Sequence, residues 1–443
     1  MTWQARLQSL SRQVRGSRVA QGAAFTLSIR IYGAALAFIT QLYLARTMGA
    51  EQLGIFVFGW TWLSIAAFLA PAGFDTALVR FLASFQSSRK WDDARGIVRL
   101  AYTCTLAAAV TTAALGLLVV HLAGERTAPY TTALVIALAT VPVLALVNLH
   151  EGIARGFRWI YQVSLPSFAL RPTLFLLGVL ALAAFGIDAS GTRVLAAMTL
   201  ACVLTLAFQV LRYRASVHPG FASAQASSNT RVWLFNALPM VLVVSFEQLL
   251  ANTDILMLGV LEGPADTGIY HIAVRIAGIA LFVFFAVSAF AAPRIAELHS
   301  RNETVELVAF AAKVRLAIGL PTVLGLAVLA FAGPQLLTLF GDQFRDAYYP
   351  MMVLCIAVAA RALAGPVDNL LTMTGKQNQL ARVLAVVALL NLAANALLIP
   401  RFGIRGAAFA TSGSIVTEMI WVSILAGRHI GFTPWLLRPT KAS

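Results

Sequence analysis

Apolar runs of about 20 residues, each long enough to cross the hydrocarbon core of a bilayer as a helix, recur from one end of this chain to the other. This feature leaves few architectures open. Backbone polar groups in lipid must be satisfied within their own segment, so each such run folds as a helix. The spacing predicts spans near 20–46, 53–79, 98–122, 130–150, 160–186, 193–211, 232–261, 267–292, 308–333, 347–373, 378–400 and 403–427. Composition agrees, with 59% apolar and only 12% charged residues, where a soluble domain carries roughly a quarter charged. The expected fold class is an all-α integral membrane protein of about 12 transmembrane helices.

The net charge of +15 raises the question of nucleic acid, and its distribution answers it. Of the 33 Lys and Arg, 23 fall on the N-terminus, the C-terminus and every second loop, among them Arg12, Arg15, Arg89, Lys90, Arg155, Arg212, Arg231 and Arg301. Six fall on the opposite side (Arg46, Arg126, Arg193, Arg345, Arg401, Arg405), and four lie inside spans. That asymmetry follows the positive-inside rule and predicts a multi-pass protein of the plasma membrane with both termini cytoplasmic. The basic balance reflects topology, and no nucleic-acid partner is expected.

Residues 1–19 form a basic segment in which Trp3, Leu7, Leu10 and Val14 share one helical face. A short helix in the membrane interface and a basic tail both fit it. No small-residue cleavage site follows the first apolar run, which reads as a retained helix. The longest polar gap, 212–231, contains Ser223-Ala224-Gln225-Ala226-Ser227-Ser228-Asn229 and reads as a flexible cytoplasmic linker. It divides an N-terminal six-helix lobe, 20–211, from a C-terminal one, 232–427, with a cytoplasmic tail at 428–443. A weak repeat supports the division. Gly54-Ile55-Phe56 corresponds to Gly268-Ile269-Tyr270, and Arg80 to Arg294, at an offset of 214; Phe185-Gly186-Ile187 corresponds to Phe402-Gly403-Ile404 at 217. Six spans per half make these parallel repeats, a standard transporter construction with the substrate site between the halves.

The informative residues are ionisable groups inside spans, each costing about 2.5–3.5 kcal/mol at the bilayer centre unless it faces protein or water. Arg30 lies in the first span, Asp75 near the cytoplasmic end of the second, and Arg171 in the fifth, just before Pro172. Glu247 and Asp254 lie in the seventh, His271 and Arg275 in the eighth, Arg361 and Asp368 in the tenth, and Glu418 in the twelfth. Glu247 and Asp254 are seven apart and share a face, as are Arg361 and Asp368 with Pro366 between them. His271 and Arg275 are four apart, and Arg30 lines up with Gln41. Such faces are expected to converge on a hydrated central cavity. Each arginine taken singly also fits a purely structural ion pair. Four of them on four spans suit a phosphate-bearing substrate, because guanidinium groups match phosphate oxygens bidentately.

Several segments resemble the polysaccharide transporter family of the superfamily that also holds multidrug extruders and lipid II flippases. They are Leu44 to Phe56, Gly73 to Ala83, Asp254 to Gly259 leading into Gly268-Ile269-Tyr270, Pro293 to Leu298, Phe340 to Phe344 and Pro400 to Ala408. The resemblance implies two six-helix lobes around a V-shaped cavity. It also implies flipping of undecaprenyl-diphosphate-linked oligosaccharide for surface polysaccharide such as O-antigen or exopolysaccharide. It carries no site residue onto this chain. A polysaccharide polymerase or glycosyltransferases are the partners it implies. Lipid II flippases carry two further helices, which sets that branch second.

The expected function is therefore a lipid-linked oligosaccharide flippase working by alternating access. Arg30, Arg171, Arg275 and Arg361, with Gln41 and His271, form its substrate site. Asp75, Glu247, Asp254, Asp368 and Glu418 serve charge balance or bind a coupling proton or sodium ion. A cation-coupled drug antiporter on the same fold is the rival, and it predicts a carboxylate-dominated cavity. An enzyme is not expected, since the outer loops are short. Gly375-Lys376-Gln377 lacks the Ser or Thr and the preceding Gly of a phosphate-binding loop. Cys104, Cys202 and Cys355 lie in apolar spans, and with the six His they offer no disulfide or metal spacing, so no cofactor is expected.

Overall fold

The computed structural model describes residues 18–227 and 229–432. The basic segment before Arg18 and the tail beyond Phe432 lie outside the described residues, as does the side chain of Glu247. The described residues are predominantly helical and contain no strand. In order, the helices are α1 (Arg18–Leu69), α2 (Phe74–Ser87), α3 (Trp91–Ala123), α4 (Thr131–Gly156), α5 (Ile160–Leu165), α6 (Arg171–Ala184), α7 (Gly191–Ser216) and the short α8 (Pro219–Ser223). They continue with α9 (Thr230–Leu261), α10 (Pro264–Ile279), α11 (Phe282–Ser300), α12 (Thr304–Thr338), α13 (Tyr348–Ala364), α14 (Val367–Met373) and α15 (Gln377–Ile430).

Two of these runs are too long for one crossing, and glycine divides each. Gly49 in α1 has φ 74° and ψ 177°, and Gly403 in α15 has φ 55° and ψ −133°. Only glycine enters these regions without strain. After Gly403 the chain doubles back, since a Cβ on Gly406 would overlap the carbonyl of Leu398, which a straight helix would hold far away. Nine helical runs are long and apolar enough to cross a membrane. With the two double runs divided and α9 counted, the described residues hold twelve helical segments that could cross, the number the sequence predicts.

The repeat is visible in the same glycines. Gly263 (φ 95°) stands 214 residues after Gly49, and Gly186 (φ 65°) stands 217 before Gly403, each pair placing a positive-φ turn at an equivalent position. The helices entered after Gly49 and Gly263 then pack directly on each other. A Cβ on Gly54 would collide with the Pro264 carbonyl, and one on Gly268 with the Ala50 carbonyl, so the equivalent glycines sit back to back.

The described residues form two compact units, one made of those up to Thr47 with those from Trp62 to Val244, the other of Met48–Thr61 with those from Ser245 onward. The first has a core of Phe74, Leu78, Leu82, Ile97, Leu149, Ile153 and Trp233. The second is centred on Ile295, Leu307, Ile318, Leu370, Val387, Met419 and Val422. Their outer faces are as apolar as their cores. Leu122 in α3 is 75% exposed and Phe331 in α12 is 84% exposed, a surface that lipid covers and water would not tolerate.

The segment expected to be a flexible linker is held in place. Arg95 donates to the carbonyls of Ala222 (2.8 Å) and Ala224 (2.6 Å), and Asp92 accepts from the Gln225 N–H (2.8 Å). Asp93 accepts from the Ser227 hydroxyl (2.5 Å), and the Trp91 and His218 rings stack at 4.8 Å. The first turn and a half of α3 supplies two carboxylates and a guanidinium together, and linker N–H, hydroxyl and carbonyl groups pair with them. Composition alone cannot reveal such a partner.

Candidate functional site

In the first unit, small residues bring two helices into contact. A Cβ on Gly152 would strike the backbone of Asp75, and one on Gly156 would strike that of Leu78, so α2 lies directly against α4. This brings Asp75, in the first turn of α2, to 3.7 Å from Arg155. Glu151, one turn back on α4, accepts from the Ser167 hydroxyl and lies within electrostatic reach of Arg171, Arg155 and Asp75. Two carboxylates and two guanidinium groups thus form one charge-balanced cluster. Glu151 was not among the expected site residues. It lies one residue past the predicted fourth span, and its spacing of four from Arg155 is the signal in the sequence that points to it.

Arg30 is placed differently. It is exposed, its guanidinium carbon lies 4.9 Å from the centre of the Phe168 ring, and no carboxylate pairs with it among the described residues. Gln41 lies half-buried about three turns further along α1.

In the second unit, Asp254 is buried and fully engaged. Tyr270 donates to it at 2.7 Å, Thr411 at 3.1 Å and the Ile255 N–H at 2.8 Å. Arg361 donates through one terminal nitrogen to both oxygens of Glu418, at 2.9 and 3.2 Å, and the Glu418 side chain is only 2% exposed. Arg361 and Asp368 do not share one helix face as their spacing suggests, because α13 ends at Ala364 and Gly365 turns with φ 73° before α14 begins. The turn nevertheless brings them to one cavity of about 620 Å³, together with Asp254, Thr411 and Glu418. Apart from Thr372 its remaining wall is apolar, including Leu250, Phe285 and Leu354. One Asp368 carboxylate oxygen is buried there without a hydrogen-bond partner among the described residues.

His271 and Arg275 stand on one face of α10, as expected, but not in that cavity. The Arg275 Nε donates to His271 Nε2 at 3.4 Å, which requires a neutral imidazole carrying its proton on Nδ1. That buried Nδ1 has no partner, while Arg275 is exposed and pairs with no carboxylate among the described residues. The four intramembrane arginines therefore fall into two kinds. Arg171 and Arg361 are balanced by neighbouring acids, whereas Arg30 and Arg275 rest on neutral rings. Among the described residues no group of three or more His, Cys, Asp or Glu is disposed to hold a metal. Cys104, Cys202 and Cys355 are free thiols.

Comparison with known proteins gives the family from one match and the fold from others. Residues 19–299 match the family described as polysaccharide biosynthesis protein. The chain is 23% identical over 398 residues to the probable low-salt glycan biosynthesis flippase Agl15 of Haloferax volcanii, covering 88% of this chain and 79% of that one. Its fold resembles the inward-facing form of a multidrug resistance MATE family transporter of the MOP superfamily. The TM-score is 0.76 at 15% identity, over 92% of this chain and 98% of the other. It also resembles the lipid II flippase MurJ in an inward closed conformation, with a TM-score of 0.72 at 11% identity, over 91% and 87%. The match over well more than half of its residues places the chain in the polysaccharide biosynthesis protein family, on the helical fold of the MOP-superfamily transporters.

Proposed function

We propose that this multi-pass membrane transporter is a flippase for an undecaprenyl-diphosphate-linked oligosaccharide. It would carry its cargo from the cytoplasmic to the outer leaflet of a bacterial inner membrane by alternating access, for surface polysaccharides such as O-antigen or exopolysaccharide. The observation that carries this reading is the pair of exposed arginines, Arg30 and Arg275, each without a carboxylate partner among the described residues. A guanidinium left uncompensated in a membrane segment is costly, and an anionic cargo supplies the missing charge. Both termini are cytoplasmic in this reading, and polymerase or glycosyltransferase partners would supply and consume the lipid-linked glycan.

The cavity of the second unit serves coupling. Asp254, Asp368 and Glu418 outnumber Arg361 there, and the Asp368 oxygen without a hydrogen-bond partner is the place for a proton or sodium ion. Asp75 is committed to Arg155 and works as charge balance. Deletion and complementation test the whole reading. The gene is removed, lipid-linked oligosaccharide and surface glycan are assayed, and wild type, Arg30→Ala and Arg275→Ala are restored in turn. Accumulation of intermediate on the cytoplasmic face, uncorrected by normally expressed arginine variants, supports it. Unchanged surface glycan with increased sensitivity to cationic drugs replaces it with the antiporter reading, which the carboxylate excess in the second unit favours.

A further inference from the structure

Helix α5 passes into α6 through a π turn, Pro166–Leu170, closed by the Arg171 N–H donating to the Pro166 carbonyl. Proline chemistry places it there. Pro166 opens the turn, and Pro172 lacks the N–H that would pair with the Phe168 carbonyl four residues earlier. That carbonyl meets Gly33 of α1, so closely that a Cβ on Gly33 would overlap its oxygen. The approach places the Gly33 Cα–H against that carbonyl oxygen. A second contact fixes the same seam. The Thr173 hydroxyl donates to the Ala169 carbonyl at 2.7 Å, so the Tyr32 hydroxyl is the donor in its 3.0 Å bond to Thr173.

The result is a rigid shelf that holds the Phe168 ring against Arg30. π turns occur often at functional positions in helices, and here the turn governs two charged sites at once. Ser167 donates to Glu151, whose charge offsets Arg171, while Phe168 presents Arg30. An aromatic face attracts a guanidinium without neutralising it. The N–H edge of Arg30 thus stays available to an incoming anion, which a carboxylate neighbour would have displaced.

We infer that Phe168 is the positioning residue of an anion site centred on Arg30, and that the site takes one phosphoryl or carboxylate group of the transported glycolipid. This rests on the proposed reading that the cargo is an anionic lipid-linked glycan. It narrows that reading by making Arg171 part of the framework rather than a ligand.

The test uses the full chain in nanodiscs, with undecaprenyl diphosphate as probe and wild type, Arg30→Ala, Phe168→Leu, Phe168→Tyr and Arg30→Ala/Phe168→Leu compared. Modification of Arg30 by phenylglyoxal, read by mass spectrometry, reports the guanidinium directly. Phe168→Leu is expected to weaken binding about threefold to tenfold and to speed Arg30 modification. Phe168→Tyr should restore both, and Phe168→Leu should add nothing to Arg30→Ala. Wild-type affinity in Phe168→Leu, or a loss that adds fully to that of Arg30→Ala, overturns the inference, since either makes Phe168 mere packing. Should the wild type not bind the lipid, the cargo reading falls, and inorganic phosphate decides the site. Protection of Arg30 from phenylglyoxal by phosphate sustains it, and absence of protection ends it.

Discussion

Replacing Arg361 and replacing Arg30 should have opposite signatures, although the sequence presents both as intramembrane arginines. Arg361→Ala strips Glu418 of the guanidinium that contacts both of its oxygens at 2.9 and 3.2 Å. The Glu418 side chain is 2% exposed, and removing one partner from a buried pair costs about 3–5 kcal/mol. The Arg361 side chain is 24% exposed, so water screens part of the loss and the lower end, about 3 kcal/mol, applies. That is on the order of a hundredfold in the ratio of folded to unfolded protein. Arg30→Ala, by contrast, removes an exposed cation from an aromatic face, worth about 0.5–1 kcal/mol. Unfolding by SDS titration in mixed micelles reads both. Arg361→Ala should unfold at distinctly lower SDS, and adding Glu418→Gln should recover much of the loss by removing the buried charge. Arg30→Ala should unfold close to wild type while failing to restore surface glycan. An Arg361→Ala protein of wild-type stability that fails in transport would refute this reasoning and make Arg361 a substrate ligand.

Gly54→Ala and Gly268→Ala should each destabilise the second unit by about 1–3 kcal/mol, as overpacking does, because each Cβ meets the backbone of the other helix. The double variant should lose less than the sum, since one separation of the helices relieves both, and SDS unfolding checks this. Arg95→Ala combined with Asp93→Asn should free the segment around Ala224 to Asn229 and raise its cleavage by limited proteolysis about tenfold, through loss of charge-assisted hydrogen bonds. At the start of α10, burial together with repulsion from Asp346 pushes the Asp266 carboxyl above its usual range. The folded chain then holds that proton more tightly than the unfolded chain. Its stabilising contribution is therefore present below the unfolded value and is lost as pH rises through the folded one. Asp346→Asn should flatten this dependence in SDS unfolding measured from pH 4 to pH 7.

The helical crossings were legible because hydropathy and span length leave lipid-embedded backbone only one solution. Even the turns at Gly49 and Gly403, where one continuous helical run contains two crossings, fell near predicted boundaries, since positive-φ glycine interrupts an otherwise apolar stretch. The linker was misread for a physical reason. Ser, Ala, Gln and Asn have no strong preference of their own, and what orders them is a row of donors and acceptors on α3, more than a hundred residues earlier in sequence. Helix periodicity also misplaced the relation of Arg361 to Asp368, because the Gly365 turn replaces a helical face with a bend.

The site divides along the same line. A sequence shows that a guanidinium lies within a span, which establishes a cost, but the identity of the group that meets that cost is a tertiary fact. Arg171 and Arg361 are met by Glu151 and Glu418, residues on other helices. Arg30 and Arg275 are met by Phe168 and His271, neutral rings that ease the burial of a cation without cancelling it. Substrate binding needs the second arrangement. A guanidinium already saturated by carboxylate must break one charge-assisted contact to form another and gains little, whereas a guanidinium on a ring gains the full contact with an arriving phosphate. The same arrangement leaves two guanidinium charges without a carboxylate partner among the described residues, and on the proposed reading an anionic cargo supplies the missing charge. On the proposed reading, it is Arg30 and Arg275, rather than Arg171 and Arg361, through which binding of an anionic cargo would favour a change of state.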